Sequence, residues 1–371
     1  MKIMPLPGHW LMSTICCDRS RQRRVMNGMS NKVLGFGIIG CGTIAHWHAQ
    51  AIQTIGAARL AGVADSRATA AQDFARQYHT ESFQSIEELL SSPMVDAVCI
   101  CTPSGLHAPL CIKAARAGKH VVVEKPMTLN LAEADDVIAA CAASKVKMAV
   151  VSQLRFTQAV KTLKSAIDQG VLGRLISGDI YMKYYRSQEY YNQSSWRGTW
   201  KMDGGGALMN QGIHGVDLLL YMMGPVKSVF AQAKTLVRNI EVEDTAAAVL
   251  EFQNGALGVI QATTSIYPGA PRRLEICGSK GTIVLEEDRI VSWNVEGCPI
   301  PDGISLEHTE NKSFQDPKAF GIEGHALQLG DMAAAIREDR APLVDQHEGR
   351  KPVELIMGIY QSACEKRIIE F

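Results

Sequence analysis

The chain carries no excess of either charge: 38 lysines and arginines balance 38 aspartates and glutamates over 371 residues. Without a basic field there is nothing to hold a nucleic acid or an anionic membrane surface, so a small molecule is the expected partner. No apolar run approaches the roughly 18 residues that argue a membrane span. The ten cysteines include no C-x-x-C pair. Cys99 and Cys101 fall within an apolar run that reads as a buried strand, where reduced cysteine behaves as a small hydrophobe, and a reducing cytoplasm is the expected location. No internal repeat or low-complexity segment is present. Nor is a metal centre expected: His46-x-His48 is the one close histidine pair in the sequence, and an i, i+2 spacing on a helix sends the two rings to different faces.

What is present begins with the strand-like run Val33–Ile39, which enters Gly40-Cys41-Gly42-Thr43-Ile44-Ala45, a G-x-G-x-x-A turn opening a helix. Gly40 permits the tight turn, Gly42 lets backbone approach a pyrophosphate, and Ala45 lets helix and strand pack closely. The helix start supplies N–H groups and the positive end of its dipole to the phosphates. The next run, Ala58–Ala64, ends on Asp65, twenty residues past Ala45. A carboxylate there accepts the ribose hydroxyls of the adenosine half and repels a 2′-phosphate, which favours NAD. Ser66 and Arg67 share that turn, and Arg67 is placed to accept such a phosphate in part, so NADP stays open.

Residues 1–31 stand apart, with Arg19, Arg21, Arg23 and Arg24 but no period of 2 or 3.6. Arg23-Arg24 is followed by neither an apolar stretch nor a small-residue cleavage site, so a disordered leader, or a start codon placed too early with Met29 the true beginning, is expected rather than an export signal. From residue 32 to 152, Val/Ile-rich runs (Val95–Cys101, His120–Val123, Val146–Val151) alternate with helical stretches (67–78, 84–90, 109–117, 129–143). That alternation predicts an α/β, Rossmann-type domain with a parallel sheet covered on both faces. Ligands sit at the carboxyl ends of such strands. Those ends carry Thr102-Pro103-Ser104-Gly105-Leu106-His107 and Glu124-Lys125-Pro126. Thr102, Pro103, His107, Glu124 and Lys125 are therefore further candidate cofactor contacts, with Lys125 beside the expected nicotinamide position and His107 as readily a packing or capping histidine.

Residues 153–371 change grammar. Strand-like runs come close together at 175–185, 226–237, 245–252, 256–264, 273–277 and 282–285, with Asn254-Gly255 and Gly278–Gly281 joining neighbours as hairpins. With helices expected at 160–169, 208–223, 325–338 and 350–365, this predicts an α+β domain whose open, mostly antiparallel sheet serves substrate binding and homo-oligomerisation as a dimer or tetramer. Asn210, His214 and Asp217 follow a triple glycine (204–206) at i, i+4, i+7, which puts them on one helical face. Arg155, Trp196 and Arg197 are candidates to hold a substrate, an aromatic face for the C–H side of a ring and guanidinium donors for hydroxyls or a phosphate; interdomain packing is the competing reading.

The glycine turn, Thr102-Pro103 with His107, Glu124-Lys125-Pro126, and the triple-glycine helix with His214 together resemble the glucose-fructose oxidoreductase / inositol dehydrogenase / rhizopine catabolism (Gfo/Idh/MocA) family, from about Val33 to the end. The resemblance implies an NAD(P)-dependent dehydrogenase of sugars, cyclitols or nucleotide sugars, with Lys125 and His214 as the catalytic pair. Many members have aspartate four residues before the histidine, where this chain has Asn210. Oxidation of a secondary alcohol needs a base within reach of the hydroxyl and a group to stabilise the developing alkoxide, for which His214 and Lys125 are the candidates, with Lys125 as an alternative base. Two other functions are compatible with the same fold: an NAD-dependent, redox-neutral glycoside hydrolase, and a nucleotide-sensing regulator without turnover.

Overall fold

In the computed structural model, residues 32–304, 306 and 321–371 are described; the expected leader, 1–31, lies outside them. The first half runs β1 (Leu34–Ile39), α1 (Thr43–Thr54), β2 (Ala58–Ala64), α2 (Ala68–Tyr78), α3 (Ile86–Ser91), β3 (Ala97–Ile100), α4 (His107–Arg116), β4 (His120–Val123), α5 (Leu131–Ser144) and β5 (Met148–Val150). The strands form a parallel sheet in the order β2-β1-β3-β4-β5. Local chemistry starts the helices. Ser85 accepts the Glu88 N–H while Glu88 accepts the Gln84 N–H, a reciprocal cap for α3, and Asn130 accepts the Glu133 N–H at the start of α5. Apolar side chains on the two sheet faces form separate clusters beneath the helices.

The second half adds α6 (Gln158–Asp168), β6 (Leu175–Lys183), α7 (Gln188–Asn192), α8 (Ile213–Met223), β7 (Val226–Lys234), β8 (Thr245–Phe252), β9 (Leu257–Thr263), β10 (Arg273–Gly278), β11 (Gly281–Glu286), β12 (Arg289–Val295), α9 (Glu323–Glu338), α10 (Gln346–Glu365) and β13 (Ile369–Glu370). Among the described residues these strands form one sheet in the order β12-β11-β10-β6-β9-β8-β7-β13. Both expected hairpins are present, the first with Gly255 at φ +84° and Asn254 Oδ1 accepting the Ala256 N–H. The sheet is mostly antiparallel, but β6 and β9 run parallel because a long excursion through α7, α8 and two other strands separates them.

One expectation about this half is corrected. The helix foreseen at 208–223 is not uniform: residues Ala207–Gly212 form a π turn, and the α-helix starts at Ile213. The wider turn takes Asn210 off the face that carries His214 and Asp217. The chain also returns from the second half to the first. Leu329, Met332 and Ala333 of α9 are fully buried in the cluster beneath β1, and Val344 enters the opposite one, where its carbonyl accepts the Val150 N–H.

Arg155, just past the last strand of the first sheet, is tied to two helices of the second half and is no free substrate contact. Its guanidinium is 2% exposed. It forks onto Asp217 of α8, with Nε to Oδ2 at 2.9 Å and Nη2 to Oδ1 at 2.6 Å, and sends Nη1 to Glu348 of α10 at 2.9 Å. The Tyr221 ring lies 4.4 Å from its centre. Burial opposes its charge, but Asp217 and Glu348 more than offset that and raise its pKa. All three nitrogens are committed.

Arg155→Met removes that cation and leaves Asp217 charged and buried, which costs about 3–5 kcal/mol. Denaturant unfolding checks it; a loss below 1 kcal/mol contradicts the assignment.

Candidate active site

At the end of β1, Gly40 has φ +92°, and a Cβ on it would stand 2.9 Å from the Cys101 carbonyl oxygen. Two residues on, a Cβ at Gly42 would meet nothing within 4 Å, and α1 begins at Thr43 without a side-chain cap. Free N–H groups and the positive dipole end thus open onto vacant space, the requirement for a pyrophosphate. Cys41 is buried, Ile44 half-buried and Thr43 exposed at that rim. Asp65 braces the loop: Oδ2 accepts the Cys41 N–H at 2.8 Å and Oδ1 the Arg67 N–H at 2.9 Å. Ser66 and the Arg67 side chain project to solvent. Thr102 and Pro103 follow β3, and the Thr102 Oγ1 is buried with no protein partner. A helix start without a side-chain cap, a turn open at Gly42 and an orphaned hydroxyl together fit a dinucleotide.

His107 has a structural task. Nδ1 lies 2.7 Å from the Pro126 carbonyl oxygen and Nε2 3.0 Å from that of Thr102, so the ring ties the two loops that carry the polar motifs. It is 1% exposed. Glu124 is also buried and faces away from the cleft: Oε1 is 2.8 Å from His48 Nε2 on α1 and 3.8 Å from His325 Nε2 on α9. Burial alone would raise this carboxyl, but His325 and His48 hold it well below its ordinary value. The two imidazoles and the carboxylate converge within 4.8 Å, an arrangement that no local spacing announces, since the three residues stand far apart in the chain.

Lys125 meets the second half directly. Its Nζ donates to the Asn210 main-chain oxygen at 2.8 Å, a carbonyl made available by the π turn. Burial lowers the Lys125 pKa; Glu124 and Asp203 pull it back up and Arg186 pushes it down. His214, one residue into α8, is pushed well below its ordinary value by burial and by the Lys125 charge, which makes it a neutral imidazole. The two expected catalytic groups are thus brought into electrostatic contact from different halves of the chain. Asn210 plays a different part from the one its spacing suggested: its side chain donates to Asp203 and accepts from Gln211, and does not hold the His214 ring. The triple glycine serves packing, since Cβ atoms at Gly204 and Gly205 would run into Leu129 and the Tyr360 hydroxyl. Beside this site Arg197 stacks on Tyr190 at 4.6 Å and on Trp196 at 5.2 Å, and its Nε is buried without a partner.

Residues 34–152 match the family described as "Oxidoreductase family, NAD-binding Rossmann fold", and residues 160–284 match the "GFO/IDH/MocA C-terminal domain". The myo-inositol 2-dehydrogenase of Thermotoga maritima is 33% identical over 265 residues, 68% of this chain and 75% of that protein. The inositol 2-dehydrogenase of Rhizobium meliloti is 28% identical over 90% of this chain and 98% of its own length. Among solved structures, the WlbA dehydrogenase of Bordetella pertussis in complex with NADH and UDP-GlcNAcA superposes with a TM-score of 0.83 at 35% identity, covering 92% of this chain and 98% of that one. No helix among the described residues is long and apolar enough to cross a membrane.

Burial lowers the pKa of His48, His107 and His214 alike. As pH falls below about 6.5 the unfolded chain takes up protons that the native state excludes, so stability is lost from that pH downward. For His48 and His107 the loss is about 1.4 kcal/mol per residue per pH unit until the native pKa is reached. Melting temperature should therefore drop between pH 7 and pH 5; a flat profile contradicts neutral burial.

Proposed function

Since the chain belongs to the GFO/IDH/MocA oxidoreductases, we propose that it oxidises a secondary alcohol of a sugar, cyclitol or nucleotide sugar at the cleft between Lys125 and His214. NAD would be held by Gly40–Ile44, Asp65 and Thr102 and would supply the hydride acceptor. The single observation that carries the reading is that a lysine from the end of β4 reaches the turn before α8 and lies near enough to His214 for its charge to act on the imidazole. Hydride leaves a carbinol carbon only as its hydroxyl proton is removed. His214, half-buried and neutral because loss of solvent and the Lys125 charge lower its pKa, is the base for that proton. Lys125, fixed by the Asn210 carbonyl and kept cationic by Glu124 and Asp203, stabilises the oxygen as it becomes negative, and polarises the ketone in the reverse direction. Trp196, Tyr190 and Arg197 form the neighbouring wall, an aromatic face for ring C–H groups beside guanidinium donors. Inositol dehydrogenases and a UDP-sugar dehydrogenase among the relatives support a polyhydroxylated ring as the substrate class.

A panel of inositols, aldoses, anhydrosugars and UDP-sugars, followed at the NADH band with NAD and NADP in parallel, tests the reading. Reduced cofactor should accumulate with at least one of them and faster with NAD. Cleavage of an aryl glycoside without net NADH would replace this reading with the redox-neutral hydrolase.

Lys125→Met should bind NADH nearly as well as the parent protein and lose about 10² or more in kcat; a variant that keeps half the rate makes Lys125 structural. Asp65→Ala removes a charged acceptor and should weaken NADH binding by about 1–3 kcal/mol, measured by calorimetry. Tighter NADPH than NADH binding to the parent chain would overturn the cofactor preference.

A further inference from the structure

Behind the contact between Lys125 and Asn210 lies a carboxylate that the reaction above does not use. Asp203 is 1% exposed. Its Oδ2 accepts the Gly198 N–H at 2.8 Å and its Oδ1 accepts the Asn210 side-chain amide. These two hydrogen bonds do most to offset its burial, and the cations Lys125 and Arg197, one layer further off, add to them, yet burial still raises its pKa. Burying a carboxylate this way costs stability. Asn210 connects it to the reacting centre, since its amide is bound to Asp203 while its main-chain oxygen holds Lys125 Nζ at 2.8 Å. The segment between them includes the π turn Ala207–Gly212, an irregularity that an ordinary helix would remove.

We propose that Asp203 is a positioning residue for the proposed oxidation: through the Asn210 amide it holds the π turn whose carbonyl grips Lys125, and its charge keeps Lys125 an ammonium ion during turnover. The proposal rests on Lys125 being the catalytic cation. The titratable and charged groups facing Lys125 are Glu124, Asp203, Arg186, His107 and His214; those facing Asp203 are Lys125, Arg197, Tyr191 and Tyr360. Burial works on the two in opposite directions, raising the Asp203 carboxyl and lowering the Lys125 ammonium; their mutual attraction opposes both effects, beside Glu124 for the lysine and the Gly198 and Asn210 hydrogen bonds for the carboxylate.

Hydrogen-bond complementarity supplies a specific test. Asp203→Asn alone turns an amide NH₂ towards the Asn210 NH₂, two donors face to face. The exchange Asp203→Asn/Asn210→Asp restores the pair, because the new carboxylate at 210 accepts from the amide at 203 and from Gln211 Nε2, and the amide oxygen at 203 accepts the Gly198 N–H. Only the position of the negative charge changes, by one side chain.

The pH dependence of Lys125 labelling by a small amine-reactive reagent, read by mass spectrometry, reports its proton affinity without any substrate. Asp203→Asn should move the labelling midpoint to lower pH by about one unit and cut kcat by about tenfold on the substrate from the panel, with NADH binding unchanged within twofold. The exchange variant should return the midpoint and most of kcat. A midpoint unmoved in the single variant, or an exchange variant no better than the single one, overturns the proposal, and so does failure of both chains to fold, which makes Asp203 structural. Lys125→Met measured alongside separates the two failures, since its retained activity would undo the reading of Lys125 itself.

Discussion

The geometry of the cleft depends on one buried guanidinium. Arg155 follows the last strand of the parallel sheet and grips Asp217 with two nitrogens, and Asp217 lies one helical turn after His214 on α8. Its third contact, with Glu348, ties in α10, which packs on β7 of the second sheet. The imidazole is therefore placed relative to the dinucleotide cradle by a rigid, charge-assisted fork, not by a flexible linker. The contact between Lys125 Nζ and the Asn210 oxygen then adds a short second tie at the reacting centre itself.

Electrostatics within that frame divide the labour between two basic groups. Burial works against charge on both and Glu124 resists it on both, but Lys125 has a second carboxylate as well, Asp203 behind Asn210. His214 has the lysine charge for a neighbour and stays neutral. A neutral acceptor and a cation side by side are what an alcohol oxidation requires, since the same oxygen must lose a proton and bear a growing negative charge. Glu124 is in turn held ionised by histidines from α1 and α9, so the residue before Lys125, the helix after the glycine turn and the returning α9 share one buried network.

Much of this was legible in the sequence where the cause is local. The glycine turn, the strand and helix alternation of residues 32–152 and both hairpins follow from spacing and turn chemistry, and Lys125 and His214 stand beside motifs with a physical reason to be there. The misreadings share a different origin. Arg155 looks like a substrate contact until its carboxylate partners, 62 and 193 residues away, are known. Asn210 and His214 share a face only in a regular helix, and the π turn is fixed by tertiary contacts such as the Glu243 carboxylate on the N–H groups of Gly206 and Leu208. The parallel pairing of β6 with β9, the strand β12 and the return of α9 to the first core likewise depend on long-range packing that no short window contains.

Proton removal and substrate orientation meet at one place, the oxygen of the alcohol that is oxidised. A crystal structure of the protein with NADH and a polyol from the active panel locates that oxygen directly. The account predicts it within hydrogen-bond distance of both Lys125 Nζ and the His214 ring, with the Arg155 fork intact. A bound polyol whose nearest hydroxyl to the nicotinamide touches neither side chain would contradict it.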